Sequence, residues 1–385
     1  MRNRNQDPPI APRAFVQLDA EALQNNYRAI RELIPGQAIL PMVKADAYGH
    51  GAVWGAGLLL GMPDLYAFGV ATLEEGAELR TGLGPRARKT KIVIFSGPAP
   101  WSEEKGQFCE RFGLTPAIST DQDWVQFLRG GWPSRIRYEL KFNTGMNRLG
   151  LSLSQASQIA RALRDQPSEH HPDGIFSHLA MSEDTEARLS LSQRERFAAL
   201  KGELGPAFPA AQFHLANSGG IWNQKHWRLS GLTDAVRPGL SLYGIPPWPG
   251  APARGIRPVM TFFAAVAATR RLKPGESMGY GGAYRVPTQA EGAVDVAILS
   301  VGYADGIFRS LSDRGQVWLN DRKTSFLGRV SMDLCAVGAS PSTRPGDLAE
   351  IIGPRIDLWQ QAKDAGTIPY ELLTSLSTRV KRVEG

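Results

Sequence analysis

The sequence between residues 38 and 240 alternates short apolar runs with segments in which apolar residues recur every three or four positions. The short runs predict buried strands, and the longer recurrence predicts amphipathic helices, such as residues 153–163 and 191–204. The predicted strands are residues 39–44, 66–70, 91–95, 115–118, 136–141, 174–178, 212–216 and 235–236. Eight strand–helix units in succession predict an α/β fold, a (β/α)₈ barrel of the TIM type, rather than a shorter doubly wound sheet.

This alternation ends at a proline-rich joint, Ile245-Pro-Pro-Trp-Pro-Gly-Ala-Pro252. Beyond it, runs rich in valine and phenylalanine lie between glycine-containing turns and predict strands at residues 260–268, 292–300, 317–319 and 348–352. A further predicted strand and helix, residues 14–19 and 20–34, precede the alternating part. We therefore predict two domains, a barrel over residues 1–250 and a mostly β domain over residues 251–385.

The charge balance gives little reason to expect a nucleic-acid partner. Lysine and arginine number 44 against 37 aspartate and glutamate, a net charge of +7. The basic residues are scattered, and their densest cluster, Arg379-Val-Lys-Arg382, is short. We interpret the excess as a mildly basic, solvated surface.

Cysteine content and apolar runs indicate the compartment. The two cysteines, Cys109 and Cys335, stand far apart and predict buried thiols in a reducing compartment rather than a disulfide. The N-terminal residues carry positive charge with no apolar stretch behind them, which argues against a secretory signal. No run elsewhere approaches the roughly 18 apolar residues of a membrane span. We therefore expect a cytoplasmic protein that does not enter a membrane.

A single lysine, Lys44, ends the apolar run at residues 38–43, and small and turn-forming residues follow it. Burial of an ammonium group is costly, so a strand-end lysine among apolar neighbours tends to lose its proton. The neutral amine is a nucleophile that forms Schiff bases with aldehydes, pyridoxal phosphate among them. The alternative is a lysine whose amine simply reaches water.

A tight turn follows the fifth predicted strand, in Lys141-Phe-Asn-Thr-Gly-Met-Asn-Arg-Leu-Gly150. The turn brings Arg148 back toward the strand ends, where a guanidinium suits a carboxylate or a phenolic oxygen. The alternative is an arginine on an exposed loop.

Two histidines, His178 and His214, stand at or just before strand ends. Neither has a carboxylate or cysteine at ligand spacing beside it, so we predict no metal site. Ser218 precedes Gly219-Gly220, a small-residue turn that can receive a phosphate. Packing roles are an equal alternative for both segments.

Six segments, taken in order, resemble the bacterial alanine racemases, the barrel-type family that depends on pyridoxal phosphate. They are residues 38–51, 141–150, 236–244, 275–284, 301–306 and 327–333, with Ile368-Pro-Tyr-Glu371 near the end. The resemblance implies an alanine racemase that interconverts L- and D-alanine and supplies D-alanine for peptidoglycan. It also implies a homodimer in which the second domain of one subunit completes the active site of the other.

The resemblance also assigns roles to residues. Lys44 and Tyr280 would be the two catalytic bases, for the D and L isomers respectively, with Tyr280 helped by His178. Arg148 and Met332 would bind substrate, Lys141 would support Arg148 as a carbamate, and His214 would support Arg237. The cofactor-binding residues would be Lys44, Tyr48, Arg148, His178, Asn217, Ser218, Arg237, Gly239, Leu240 and Tyr370. Asn143 departs from the aspartate usual in this family.

Arg237 bears on the type of reaction. An arginine at the pyridine nitrogen can only donate a hydrogen bond, so the nitrogen stays unprotonated and the ring is a weaker electron sink. A weak sink favours racemisation over decarboxylation or transamination. Related barrel decarboxylases use an acidic residue here, and a non-catalytic pyridoxal-phosphate carrier has no reason to keep a second domain.

Overall fold

The structure, a computed structural model, describes residues 12–96 and 98–385. These residues divide into two compact units, Glu21–Arg257 and a second one made of residues 12–20 with Pro258–Gly385. The barrel unit thus starts and ends some residues later than the predicted limits of 1 and 250. Residues 1–11, on which the prediction of no secretory signal rests, lie outside the described residues.

Within the described residues, the first unit contains eight parallel strands in the order β2-β9-β8-β7-β6-β5-β4-β3. Single bridges from Ile39 to Leu65 and from Met42 to Gly69 join β2 to β3 and close the ring. The predicted barrel is therefore confirmed. Its strands are β2 (Ala38–Ile39), β3 (Ala67–Val70), β4 (Lys91–Ile94), β5 (Thr115–Ile118), β6 (Glu139–Lys141), β7 (Gly174–Phe176), β8 (Gln212–His214) and β9 (Ala235–Val236).

The first barrel strand is shorter than the predicted residues 39–44. Pro41 has no N–H group and cannot continue a ladder of hydrogen bonds. The chain beyond β2 is held instead by scattered bonds, among them Met42 N–H to Pro238 O and Val43 N–H to Gly69 O.

Helices cover the barrel strands, and several begin at side chains that cap them. Thr72 and Glu75 form a capping box, and Ser102 and Thr120 accept hydrogen bonds from the first turns that follow them. The α-helices of this unit are Ala20–Leu33, Ala52–Leu59, Leu73–Leu83, Glu103–Phe112, Asp121–Arg129, Ala156–Leu163, Arg188–Leu204, Ser218–Trp222 and Gln224–Trp227. Its 3₁₀ turns are Gly84–Ala87, Trp132–Ser134, Leu153–Gln155, Ser168–His170 and Leu240–Tyr243.

The second unit is mostly β, as predicted. Its long strand β10 (Met260–Leu272) pairs antiparallel with β1 (Ala14–Leu18), β13 (Val294–Leu299) and β17 (Leu348–Ile352). A bulge between Val266 and Ala268 lets β10 belong to two segments of the sheet. The predicted strand at residues 14–19 exists as β1, but it pairs with β10 and β18 and so belongs to this sheet. The strands are β1 (Ala14–Leu18), β10 (Met260–Leu272), β11 (Ser277–Met278), β12 (Tyr284–Arg285), β13 (Val294–Leu299), β14 (Gln316–Leu319), β15 (Arg322–Ser325), β16 (Cys335–Gly338), β17 (Leu348–Ile352) and β18 (Lys381–Glu384).

The second unit also carries short helical pieces. Its α-helices are Leu358–Ala365 and Pro369–Thr374, and its 3₁₀ turns are Tyr280–Gly282, Tyr303–Asp305 and Arg309–Leu311. Cys109 and Cys335 are buried and unpaired, as the sequence predicts. Across the part of the chain that the structure describes, no helix combines the length and apolar character that crossing a bilayer requires.

Candidate active site

Lys44 opens a left-handed turn at the carboxyl end of the barrel. Ala45, Asp46, Ala47 and Tyr48 have φ values of 49°, 50°, 54° and 55°. A left-handed conformation costs a residue other than glycine about 1–2 kcal/mol. Such strain persists only where the surrounding structure holds the backbone in place, and strained residues of this kind cluster at functional sites.

Hydrogen bonds of two carboxylates, one outside the turn and one within it, hold the turn in place. The Glu75 carboxylate accepts from the N–H of Ala45 and from the N–H of Ala71, each at 2.7 Å. The Asp46 carboxylate accepts from the N–H of Ala52 at 2.7 Å. Two acidic side chains therefore anchor the backbone that follows Lys44.

The Lys44 side chain is half-buried. Burial and the positive charge of Arg148 lower its pKa, and the negative charge of Glu75 opposes them. A larger fraction of the amine is therefore neutral near pH 7 than in a surface lysine, and the neutral amine is the nucleophilic form.

Lys141 is the last residue of β6 and is buried. Burial and the positive charges of Arg148, Arg237 and Lys44 lower its pKa to about 8. These four basic residues come from three barrel segments, because Lys141 and Arg148 lie on β6 and the loop after it, and together they make the carboxyl end of the barrel strongly positive.

The loop after β6 is shaped by Asn143. Its Oδ1 accepts from the N–H groups of Gly145 and Asn147, and its Nδ2 donates to Asn147 Oδ1 at 3.0 Å. The last bond needs a donor, which an ionised aspartate lacks. Asn143 thus closes the turn that carries the exposed Arg148, without adding a negative charge beside it.

Arg237 directly follows β9 and is buried. Its terminal nitrogens donate to the oxygens of Ser177 and Leu215, at 2.6 and 2.9 Å, and to His214 Nδ1 at 2.6 Å and His178 Nδ1 at 3.3 Å. Burial lowers its pKa to about 10, so the group stays charged at pH 7. Its Nε–H has no protein acceptor among the described residues and remains available to a ligand.

Both histidines act as acceptors toward Arg237, because arginine has no acceptor to offer. Each must then carry its proton on Nε2. Burial, followed by the charge of Arg237, lowers the pKa of His178 well below its usual range. Burial also lowers the pKa of His214, against the influence of Glu139. Both rings are therefore neutral.

Two residues whose roles were not predicted from the sequence, the buried Glu139 and the half-buried Tyr66, lie behind His214. His214 Nε2 lies 3.0 Å from Glu139 Oε2, and the Tyr66 hydroxyl donates to Glu139 Oε1 at 2.9 Å. The available signal was a glutamate inside a short apolar strand, two residues before Lys141 and hence on the same face. A buried carboxylate at that position needs partners.

A small cradle forms where the chain leaves β8 and β9. The Ser218 hydroxyl accepts from the N–H groups of Gly239 and Ser241, at 3.1 and 3.3 Å. Ser241, absent from the sequence predictions, is buried and its hydroxyl has no partner among the described residues. A Cβ atom on Gly239 would lie 2.4 Å from the Tyr48 hydroxyl, so glycine at this position leaves room for the Tyr48 side chain. Leu240 is buried beside them.

Asn217, the remaining predicted residue of this segment, serves the backbone. Its side chain accepts from the N–H of Gly220 at 3.1 Å and caps the short helix Ser218–Trp222. The bond fixes the turn that presents Ser218.

The other predicted residues lie in the second unit. Tyr280 is 71% exposed, between Gly279 and Gly281, which have φ values of 72° and 70°. Met332 is 51% exposed, and Tyr370 lies half-buried in the helix Pro369–Thr374. These residues share a unit with one another and not with Lys44.

No group of three or more histidine, cysteine, aspartate or glutamate side chains in residues 12–96 and 98–385 has the geometry to hold a metal ion. The candidate site in the barrel is thus built from lysine, arginine, neutral histidine and hydroxyl groups. That set binds anions and aromatic rings with polar edges.

Comparison with known proteins identifies the family. The family models for the N-terminal and C-terminal domains of alanine racemase match residues 18–247 and 259–384. The chain is 35% identical to the alanine racemase of Brucella abortus over 397 residues, covering 97% of this chain and 94% of that protein. It is 34% identical to that of Deinococcus radiodurans, covering 98% and 100%.

Solved structures agree with the sequence matches. The alanine racemase from Streptomyces coelicolor superposes with a TM-score of 0.85 at 30% identity, over 96% of this chain and 97% of that one. The enzyme from Bartonella henselae, solved with covalently bound pyridoxal phosphate, gives 0.83 at 28% identity, over 98% and 100%. These matches confirm the predicted enzyme class, an amino-acid racemase, and the chain therefore belongs to the alanine racemase family.

Proposed function

We propose that this chain interconverts L- and D-alanine with pyridoxal phosphate as its cofactor and two bases, Lys44 and Tyr280. The observation that carries the proposal is the grouping of Lys44, Arg148 and Arg237 around Lys141, in which burial and the charge of Arg148 lower the pKa of the Lys44 amine. We further propose that the product D-alanine serves peptidoglycan synthesis.

The residues present fit pyridoxal phosphate. Ser241, with its unpartnered hydroxyl, lies next to the Ser218 hydroxyl, the Tyr48 hydroxyl lies close to Gly239, and this set of hydroxyl groups suits a phosphate. Bound pyridoxal phosphate spreads the negative charge that develops when the α-proton leaves an amino acid. Lys44 would hold its aldehyde carbon. The other residues that would bind the cofactor are Tyr48, Asn217, Ser218, Gly239, Leu240 and Tyr370.

Arg237 and Arg148 would bind the ring. The Nε–H of Arg237 would donate to the pyridine nitrogen, and because arginine cannot accept a proton, that nitrogen would remain unprotonated. Arg148 would donate to the phenolic oxygen and the substrate carboxylate, with the backbone N–H of Met332. His178, neutral because burial and Arg237 lower its pKa, would contact the ring without adding charge.

The two bases would act on opposite faces of the substrate. Lys44, with its lowered pKa, can take a proton from one face near neutral pH. Tyr280 would act on the other face, and its exposed position between two glycines leaves its hydroxyl open to approach. Each positioned base contributes on the order of 10²–10⁴ in rate.

We propose that the active enzyme is a homodimer with shared sites. Tyr280 and Met332 are large apolar or aromatic side chains that are more than half exposed in the chain described here. Exposed groups of this kind on one unit are what a second subunit would cover.

Lys141 is proposed to carry a carbamate. A neutral amine reacts with carbon dioxide, and a pKa of about 8 supplies that form near physiological pH. The product is negatively charged, which would suit a site where Arg148, Arg237 and Lys44 all repel the ammonium form. His214 would support Arg237 in turn.

We propose a cytoplasmic location, supported by two cysteines that are buried and unpaired, as is usual in reducing compartments.

The deciding experiment supplies L-alanine to the purified, pyridoxal-phosphate-loaded protein in D₂O. We expect optical rotation to fall to zero while deuterium enters the α-position and no carbon dioxide is released. Carbon dioxide release with formation of the achiral product ethylamine, and no D-alanine, would instead indicate a decarboxylase. After borohydride reduction, peptide mapping should find the cofactor on Lys44, and a label on any other lysine would contradict the assignment.

A further inference from the structure

We propose that Glu139 is a positioning residue: its carboxylate fixes His214 in the tautomer that accepts a hydrogen bond from Arg237, and so holds the guanidinium in place. The role assigned to Arg237 rests on the proposed function, whereas the link from Glu139 to Arg237 rests on the cofactor-free protein alone.

The three side chains form a continuous buried line. Arg237 donates to His214 Nδ1 at 2.6 Å, and His214 Nε2 lies 3.0 Å from Glu139 Oε2. Glu139 and His214 are both fully buried. Since Arg237 can only donate, Nδ1 must be the acceptor and Nε2–H the donor to the carboxylate. A carboxylate behind an imidazole selects one tautomer in this way in other enzymes.

Glu139 also supplies charge. Arg237 is buried near Lys141, and the positive charge of Arg237 helps to lower the pKa of Lys141. Burial lowers the pKa of Arg237, and the negative charge of the Glu139 carboxylate opposes this by raising it. A buried cation needs such a partner, and here the partner acts across an imidazole ring.

Neighbouring residues hold both the Glu139 carboxylate and the His214 ring in place. The Tyr66 hydroxyl donates to Glu139 Oε1 at 2.9 Å and also lies 3.1 Å from the carbonyl oxygen of Asp173. Gly174 pairs with Glu139 across β6 and β7. A Cβ atom on Gly174 would lie 2.7 Å from Glu139 Oε1, so glycine here leaves the space that the carboxylate occupies. Phe176 stacks on the His214 ring at 4.8 Å and 12° and prevents the ring from turning.

Three variants separate charge from shape. Glu139→Gln keeps the shape but removes the charge, and its amide can face His214 with either its oxygen or its NH₂ group, so Arg237 is then the one remaining group that favours the Nε2–H tautomer. Tyr66→Phe keeps the carboxylate and removes one of its donors. Gly174→Ala keeps the Glu139 carboxylate and the Tyr66 hydroxyl but adds a methyl group that displaces the carboxylate. The backbone of β7 tolerates alanine at this position.

The first measurement is ¹⁵N NMR of histidine-labelled, cofactor-free protein. We expect His214 of the wild type and of Tyr66→Phe to be in the Nε2–H form. Glu139→Gln should show a mixture of tautomers, and Gly174→Ala a smaller change of the same kind. His226, which lies on the short helix Gln224–Trp227, is an internal reference that should not change.

The second measurement is kinetics of the loaded enzymes. Loss of a hydrogen-bonded partner behind a ligand typically costs about 10–100-fold. We expect Glu139→Gln to lower kcat by about that factor with little change in KM for alanine, and Tyr66→Phe to lower it by less than about threefold.

A Glu139→Gln protein with His214 wholly in the Nε2–H form and wild-type kcat would overturn the proposal. So would a Gly174→Ala protein with its fold intact and neither change. If the wild type does not racemise alanine, the proposed function fails, and the NMR result still decides the role of Glu139.

Discussion

The two units differ sharply in how they present their candidate functional residues. In the barrel, Arg237, Lys141 and His214 are buried, and hydrogen bonds or neighbouring charges perturb each of them. In the β unit, Tyr280 and Met332 are more than half exposed. The barrel therefore supplies a pre-organised anion site, whereas the β unit supplies surface groups whose setting depends on what covers them.

The difference has an energetic consequence. A substitution in the barrel site leaves buried partners without hydrogen bonds, and so should reduce both stability and activity. A substitution of Tyr280 changes an exposed group, and should reduce activity while leaving the free energy of unfolding nearly unchanged.

The largest expected effect is that of Lys44→Ala. Without the amine, racemisation should fall by at least about 10⁴, since one base and the cofactor's attachment point are both lost. Chiral chromatography of alanine after incubation measures the rate, and borohydride should no longer fix the cofactor to the protein. Lys363→Ala, at an exposed helical lysine, is the matched control. Residual racemisation above a thousandth of the wild-type rate would contradict the two-base assignment.

Tyr280→Phe comes next, with an expected loss of about 10²–10⁴ in rate and no change in melting temperature. Tyr303→Phe, at another exposed tyrosine of the same unit, should retain activity.

Mixing Lys44→Ala with Tyr280→Phe subunits tests the shared site. One of the two sites in each hybrid dimer would hold both intact bases, so random mixing should restore about a quarter of wild-type activity. Mixed dimers that form and remain inactive would break the shared-site model.

The fold could be predicted because its signal is periodic and local. Strand β5 and strand β9 lie where the apolar runs predict them, at Thr115–Ile118 and Ala235–Val236. The pairing of β1 with β10 could not be predicted, because a strand pattern does not name its partner some 245 residues away. The left-handed turn after Lys44 was equally invisible, since it depends on Glu75 and not on local preference.

The site residues that belong to short sequence motifs could be predicted. Those whose contacts arise only when the barrel brings distant strands together could not. Glu139 meets His214 only because β6, β7 and β8 are neighbours in the ring, 75 residues apart in sequence. The orphan hydroxyl of Ser241 likewise becomes visible only when burial is known. Residue type indicates chemistry, but the three-dimensional neighbours decide which groups are partnered.

The barrel side of the comparison is tested by Arg237→Met. The substitution removes the donors to the oxygens of Ser177 and Leu215 and leaves Glu139 without a cation, so we expect a loss of about 3–5 kcal/mol in the free energy of unfolding. Urea unfolding at pH 7 without cofactor measures it. Arg270→Met, at an exposed arginine of β10, should change stability by less than about 0.5 kcal/mol. Equal losses in the two variants would remove the contrast between the units.

The smallest expected effect is the pH dependence of stability that comes from Lys141, and the direction of this dependence can be worked out. Its pKa is about 8 in the folded chain, below the ordinary lysine value, so between pH 8 and the ordinary value the unfolded chain binds more protons and stability rises with pH. The rise attributable to this group is at most about 3 kcal/mol. Lys141→Met cannot titrate, so in buffer free of carbon dioxide it should be more stable than the wild type at pH 7, and the difference should shrink as the pH rises to 10.5. Adding bicarbonate at pH 8 should then stabilise only the wild type, because a carbamate on Lys141 replaces a repelled cation with an anion among Arg148, Arg237 and Lys44. If the difference in the free energy of unfolding between the two proteins stays constant from pH 7 to 10.5, Lys141 is not destabilised by neighbouring positive charges. The carboxyl end of the barrel would then lose its main distinction from the solvated surface of the β unit.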